Sequence, residues 1–214
     1  MKPYMHLRMP IKIDSRWKDK FPVIDETKRL QYGDIGCTLL SDSTRTFFQT
    51  ALKMPAVFGL LWSWPNSYDI NEYHIDNYGQ TGGKLDEKDM YKFSMNVLLQ
   101  GSRGKTEWAN MDNCTAITED TRNALRDSEQ KATGYRGSST GLFYDREPDW
   151  STSIMPGYPM MMDVQVPHRV NKDKEGPMRW TYSIRFKKPD MSQYTWEEAV
   201  EKLKHLELPE SKEY

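Results

Sequence analysis

The sequence predicts a mainly β fold with flanking helices, built on an antiparallel sheet packed as a sandwich or barrel. Three observations predict it. Short apolar runs of strand length recur along the chain with turn-forming residues between them. Helical periodicity is confined to two places, one just before Pro55 and one near the C-terminus. The stretch RWTYSIRF at 179–186 alternates polar and apolar residues as a strand with two different faces does.

Taken in order, the first 40 residues carry short apolar groups set off by turn formers (FPVID, QYGDIG), which suits extended edge segments of unassigned pairing. From Ser41 or Asp42, residues that can cap a helix, Phe47, Phe48, Ala51 and Leu52 recur at three- and four-residue spacing. That spacing predicts an amphipathic helix of about three turns, stopped by Pro55. FSMNVLLQG at 93–101 and KTEWANM at 105–111 are expected to be two strands of a hairpin, turned through Gly101-Ser102-Arg103-Gly104. Residues 112–150 form a polar excursion with a short helix expected around 119–131. MMMDVQVPHRV at 160–170 and RWTYSIRF are expected to be strands, separated by the turn-prone NKDKEGP. Thr195 and Glu198 have capping-box spacing ahead of Ala199, Val200, Leu203 and Leu206, predicting a last helix over 196–206.

A length of 214 residues suits one core of moderate size, so a single domain over 1–214 is expected. Thirty basic and 31 acidic residues leave a formal charge of -1, so no net field points to nucleic acid, a membrane surface or an acidic substrate. A local basic groove for nucleic acid stays open. The longest apolar runs, such as PAVFGLLW at 55–62, fall short of the roughly 20 residues that span a bilayer. With no secretory pattern at the start, a soluble cytoplasmic protein is the expectation. Cys37 and Cys114 are isolated, which suits reduced thiols and neither a disulfide framework nor a zinc knuckle. Nothing in the pattern specifies an oligomeric state.

The stretch EYHIDNYG at 72–79 sets His74 two positions before Asp76. On a strand such residues project to one face, where an imidazole nitrogen and a carboxylate oxygen can meet the same ion. His205-Leu206-Glu207 has the same spacing near the end of the last predicted helix, where residues two apart point about 200° away from each other. His168 falls near the end of one predicted strand and Arg179 begins the next, so a hairpin would bring both into one sheet. Two histidines and a carboxylate on one face of a metal leave three positions open, which suits iron(II) with a cosubstrate and oxygen. A planar guanidinium grips a carboxylate through two parallel hydrogen bonds.

This pattern, H-x-D, then H, then R about ten positions on, resembles that of the iron(II)- and 2-oxoglutarate-dependent dioxygenases, which are built on a double-stranded β-helix of jelly-roll, cupin-like form. The resemblance implies that His74, Asp76 and His168 ligate Fe(II) and that Arg179 holds the distal carboxylate of 2-oxoglutarate. It implies hydroxylation of an organic substrate (a peptide side chain, a nucleobase or a small metabolite) by O2, with decarboxylation of 2-oxoglutarate to succinate. No catalytic residue beyond the metal centre is implied. The resemblance covers roughly residues 57–188: FSMNVLLQG with TEW looks like the strand pair after the H-x-D motif, and PHRV with RWTYSIRF looks like the closing hairpin. Within 179–186, Ser183 or Thr181 would add a hydroxyl to the cosubstrate carboxylate, and Arg185 would touch cosubstrate or substrate. A second arginine at this spacing resembles the AlkB nucleic-acid dealkylases, with Thr181 where asparagine is expected. Asn96 is a further pocket contact, and NYGQTGGK at 77–84 is either a loop over the substrate or a surface turn.

Other readings compete. A cupin-like protein that binds metal without oxidation needs the same three ligands. His168 as a core histidine and Arg179 in an ion pair with Asp173 or Glu175 are the structural alternatives. GSSTG at 137–141 matches G-x-S-x-G, with Asp163 and His168 following in the order of an α/β-hydrolase triad. A nucleophile at Ser139 would need a buried strand before it and a helix after it, whereas its flanks predict a flexible turn. GSRGKT at 101–106 has Leu99 where a phosphate-binding loop needs glycine. Trp62, Trp64 and Trp108 suit a core better than base stacking.

Overall fold

The computed structural model describes residues 1–9, 11–21, 30–64, 73–76, 91–101, 104–116, 140–143, 147–171 and 178–209. In chain order they form β1 (Tyr4–His6), β2 (Gln31–Ile35), α1 (Asp42–Thr46), β3 (Ala56–Trp64), β4 (Tyr73–Ile75), β5 (Phe93–Gln100) and β6 (Lys105–Trp108). There follow β7 (Thr115–Ala116), β8 (Thr140–Phe143), β9 (Trp150–Ser153), β10 (Met160–Asp163), β11 (His168–Asn171), β12 (Arg179–Phe186) and α2 (Trp196–Leu203). The protein is mainly β. Two six-stranded antiparallel sheets run in the orders β1-β10-β5-β12-β3-β2 and β7-β8-β4-β11-β6-β9. They face each other. Trp108 of β6 packs with Met160 and Met162 of β10, His6 of β1 meets Thr152 of β9, and Asp76 just beyond β4 meets Arg185 of β12. Among the described residues no helix is long and apolar enough to cross a membrane.

The alternation predicted for 179–186 holds along β12. Trp180, Tyr182, Ile184 and Phe186 are buried on its outer side in the main core, with Phe48, Leu52, Trp196, Ala199 and Leu203 from the helical segments. Full burial of each such side chain contributes about 1.5–3 kcal/mol. Arg179, Thr181, Ser183 and Arg185 point the other way, between the sheets, and are also buried. Gly59 of β3 is required here because a Cβ at that position would overlap the hydroxyl and ring of Tyr182. The Tyr182 hydroxyl donates to Asp34 of β2, whose carboxylate also accepts the backbone N–H groups of Thr38 and Leu39.

Both helices start as predicted. Ser41 accepts from the Thr44 N–H to cap α1, and Thr195 and Glu198 form a reciprocal capping box on α2. The first helix widens into a π-helical segment at Phe47–Ala51, which keeps Phe48 in the core before Pro55, and the second ends in a 3-10 turn at Lys204–Leu206.

Both predicted hairpins are overturned. β5 lies in the first sheet and β6 in the second, and the same holds for β12 and β11. Each pair of strands is joined by a crossing between sheets. Gly101 at the first crossing has φ 108° and lies against the Met178 carbonyl and Arg179 Cα, a place with no room for a Cβ. The strand expected over 160–170 is likewise two strands, β10 and β11, one in each sheet, separated by residues 164–167, which end in Pro167, a residue with no N–H for a ladder. The segments 77–84 and 119–131, together with Ser139, Asp173 and Glu175, lie outside the described residues. Thr140–Phe143 is a strand where a nucleophile elbow at Ser139 would need a helix, and Lys105–Trp108 is a strand where a phosphate-binding loop would need one.

Asp163, at the end of β10, yields a pH-dependent prediction. Burial pushes its carboxyl up to about 6, with the Glu197 carboxylate adding to the effect against the N–H groups of Gln165 and Val166. A folded state that holds this proton more tightly than the unfolded chain gains stability below about pH 4 and loses it as pH rises through about 6. Asp163→Asn is therefore expected to stabilise the protein at pH 8 by on the order of 1–2 kcal/mol and to leave it unchanged near pH 4. Urea denaturation at the two pH values measures it; an equal effect at both would disprove the assignment.

Candidate metal centre

His74 and His168 come together because β4 and β11 pair antiparallel with these two residues directly opposite, so their side chains share a face. Their ring centroids are 4.5 Å apart. Asp76 follows β4 by one residue, and its N–H donates to the Val164 carbonyl at 3.0 Å. That bond fixes the backbone as β4 ends. Asp76 Oδ1 then lies 3.5 Å from His74 Nε2 and 3.7 Å from His168 Nε2. One ligand atom from each residue falls within 4.8 Å of the others. Bonds of about 2.1 Å at right angles would set ligand atoms about 3 Å apart, so small side-chain adjustments would close these atoms on a single ion.

The protonation states suit that use. His168 is buried, and burial followed by the neighbouring His74 lowers its pKa to about 4, so its imidazole is neutral at neutral pH. Its Nδ1 lies 2.9 Å from the Val166 carbonyl. A carbonyl only accepts, so the proton sits on Nδ1 and the Nε2 lone pair faces Asp76. For Asp76 burial alone would raise the pKa, but the His74 hydrogen bond and the charges of Arg185 and of His168, which is itself protonated below about pH 4, outweigh it and hold the carboxyl at about 2. The side chain of His168 is 4% exposed and that of His74 is 19% exposed, so the cluster opens on the His74 side.

The other candidate residues lie on the inner face of the first sheet. Arg185 Nη2 donates to Asp76 Oδ2 at 3.1 Å, and its Nη1 donates to Ser183 Oγ at 2.7 Å. Ser183 Oγ donates to Asn96 Oδ1, and Asn96 Nδ2 meets Met162 Sδ at 2.8 Å. Arg185, Ser183 and Asn96 thus form one hydrogen-bonded chain ending on Asp76. The arginine occupies Oδ2 and leaves Oδ1 to face both histidines. This ion pair escaped the sequence reading, because its partners lie 109 positions apart on different sheets. Arg179 is 2% exposed, and its Nε donates to Thr181 Oγ1 at 3.3 Å. Burial lowers its pKa to about 10, and its buried Nη1 has no hydrogen-bond partner among the described residues. Trp108, opposite His168 on the other side of β11, is fully buried and stacks on Tyr4, as a core residue does.

No family model matches this sequence, and no curated protein matches it. Among solved structures the chain is similar to the crystal structure of AviO1 from Streptomyces viridochromogenes Tue57, at 13% identity over 83% of this chain and 80% of that one, with a TM-score of 0.40. At that distance the likeness defines no shared function.

Proposed function

We propose that this chain is an iron(II)- and 2-oxoglutarate-dependent dioxygenase on a double-stranded β-helix core, hydroxylating an organic substrate. The observation that carries the reading is a buried guanidinium, Arg179, on the inner face of one sheet, its Nη1 without a hydrogen-bond partner among the described residues, while the facing sheet carries the two-histidine, one-carboxylate cluster. A structural metal site would usually add a fourth protein ligand. Among the described residues no further His, Cys, Asp or Glu joins His74, Asp76 and His168. Three protein ligands leave room for other groups on the ion.

In this reading His74, Asp76 and His168 hold the iron, and Arg179 with Thr181 receives the distal carboxylate of 2-oxoglutarate. When bound, iron(II) with 2-oxoglutarate and O2 supplies oxidative decarboxylation to succinate coupled to hydroxylation of a substrate C–H bond. The chain's own contribution is placement. Arg185 ties down Asp76 Oδ2 so that one carboxylate oxygen alone serves the ion, and Ser183 and Asn96 hold Arg185 in that position. The buried inner row of β12 keeps water from these charges, which strengthens every contact they make.

Adding 2-oxoglutarate to the iron(II)-loaded protein without oxygen is expected to give the weak visible charge-transfer band of the chelate. Admitting oxygen should then yield succinate. A protein that binds iron(II) but gives neither band nor succinate would be a cupin-like metal binder that performs no oxidation.

A further inference from the structure

The crossover 164–167, which carries the chain from β10 in one sheet to β11 in the other, runs beside the cluster and bonds to it repeatedly. The Val164 carbonyl accepts the Asp76 N–H at 3.0 Å, and the Val166 carbonyl meets His168 Nδ1 at 2.9 Å. The Val164 N–H donates to the Lys92 carbonyl at 3.2 Å, and the Pro167 carbonyl accepts the Ala109 N–H at 3.0 Å. Between them stands Gln165, whose own N–H donates to Asp163 Oδ1 at 2.8 Å. Its side-chain Nε2 donates at 3.1 Å to the carbonyl of Asp76 and at 3.0 Å to the carbonyl of Tyr91. Both partners only accept, so the amide orientation is fixed by chemistry: each Nε2 hydrogen serves one carbonyl.

We propose that Gln165 is a positioning residue of the ion site, clamping the Asp76 main chain so that Oδ1 stays aimed at the two histidines. This rests on the reading that the cluster holds a divalent ion. Asp76 is held at three points: its N–H by Val164, its carbonyl by Gln165 and its Oδ2 by Arg185. Once all three are fixed, little freedom remains at Oδ1. Release of the carbonyl lets the residue rotate about the other two contacts, and Oδ1 moves without any ligand being removed. The primary amide of Gln165 offers one hydrogen to each of the two carbonyls. Glutamate donates neither at neutral pH, and methionine fills the same volume while donating nothing.

The test is titration of the full chain with cobalt(II), following its visible absorption, in the native protein and in Gln165→Met and Gln165→Ala, alongside thermal unfolding without metal. Both variants are expected to bind cobalt(II) about 10- to 100-fold more weakly and with a changed visible spectrum, the range that loss of an outer partner of a metal ligand usually produces. A residue that merely supports the fold would lower the unfolding temperature and leave the cobalt affinity and spectrum of the folded protein alone; that result overturns the proposal. Should the alanine variant fail to fold, the methionine variant decides. If the native protein shows no cobalt binding that His168→Ala removes, the ion-site reading itself falls and the clamp falls with it.

Discussion

Replacing Asp76 with alanine is expected to abolish iron(II) binding and to destabilise the metal-free protein by about 3–5 kcal/mol, two losses with separate causes. The first follows from removing one of three donors, which costs more than the about 10- to 100-fold in affinity attached to outer-partner changes. The second has nothing to do with metal. Arg185 is 1% exposed and donates to the Asp76 carboxylate at 3.1 Å, so the change removes one partner of a buried ion pair. His168→Ala separates the two effects, because it removes a ligand and leaves that ion pair in place. It is expected to abolish iron(II) binding with a stability loss of about 1–2 kcal/mol, the more usual cost of a point change. Calorimetric titration with iron(II) and urea denaturation of both variants measure the pair of effects. Full iron(II) affinity in His168→Ala would remove the three-donor site from consideration.

What the sequence could show of this site was whatever depends on near neighbours along the chain. The two-residue step from His74 to Asp76 and the alternation from Arg179 to Phe186 are local, and both survive in the structure. So are the Ser41 and Thr195 caps, since each cap bonds to a residue three positions on. Sheet membership is not local. A run such as FSMNVLLQG followed by glycine and a second apolar run has the same pattern whether the chain turns back in one sheet or crosses to another, and here it crosses. For that reason the sequence pattern sets His168 beside Arg179 in one sheet, whereas the two stand on facing sheets. The register that sets His168 opposite His74, and the reach of Arg185 to Asp76, belong to the same non-local class. Gln165 had no pattern to betray it: one polar residue among turn formers becomes meaningful only when the carbonyls of Asp76 and Tyr91 converge on it.

Arg179→Met is expected to make the metal-free protein more stable while it weakens 2-oxoglutarate binding, a combination that a purely structural arginine would not give. The stability side follows from burial. Burial alone lowers its pKa from the ordinary 12.5 to about 10, so the guanidinium stays charged at neutral pH but costs the folded chain more than the unfolded one. A shift of that size corresponds to about 3 kcal/mol of strain on the fold, an upper figure because Thr181 offsets part of it. An apolar side chain of similar length removes this cost, as replacement of buried ionic groups by well-packed apolar ones often does. The binding side runs opposite. Removing one partner of a buried, hydrogen-bonded charge pair costs about 2–4 kcal/mol, which is a loss of roughly 30- to 1,000-fold in affinity. Thermal unfolding with and without iron(II) and 2-oxoglutarate reads both. The native protein should gain a markedly higher unfolding temperature from the cosubstrate, since a ligand that binds only the folded state stabilises it by mass action. The variant should start higher and gain little. A variant that is less stable than the native protein and still responds fully to 2-oxoglutarate would make Arg179 a structural residue and leave the cosubstrate without its anchor.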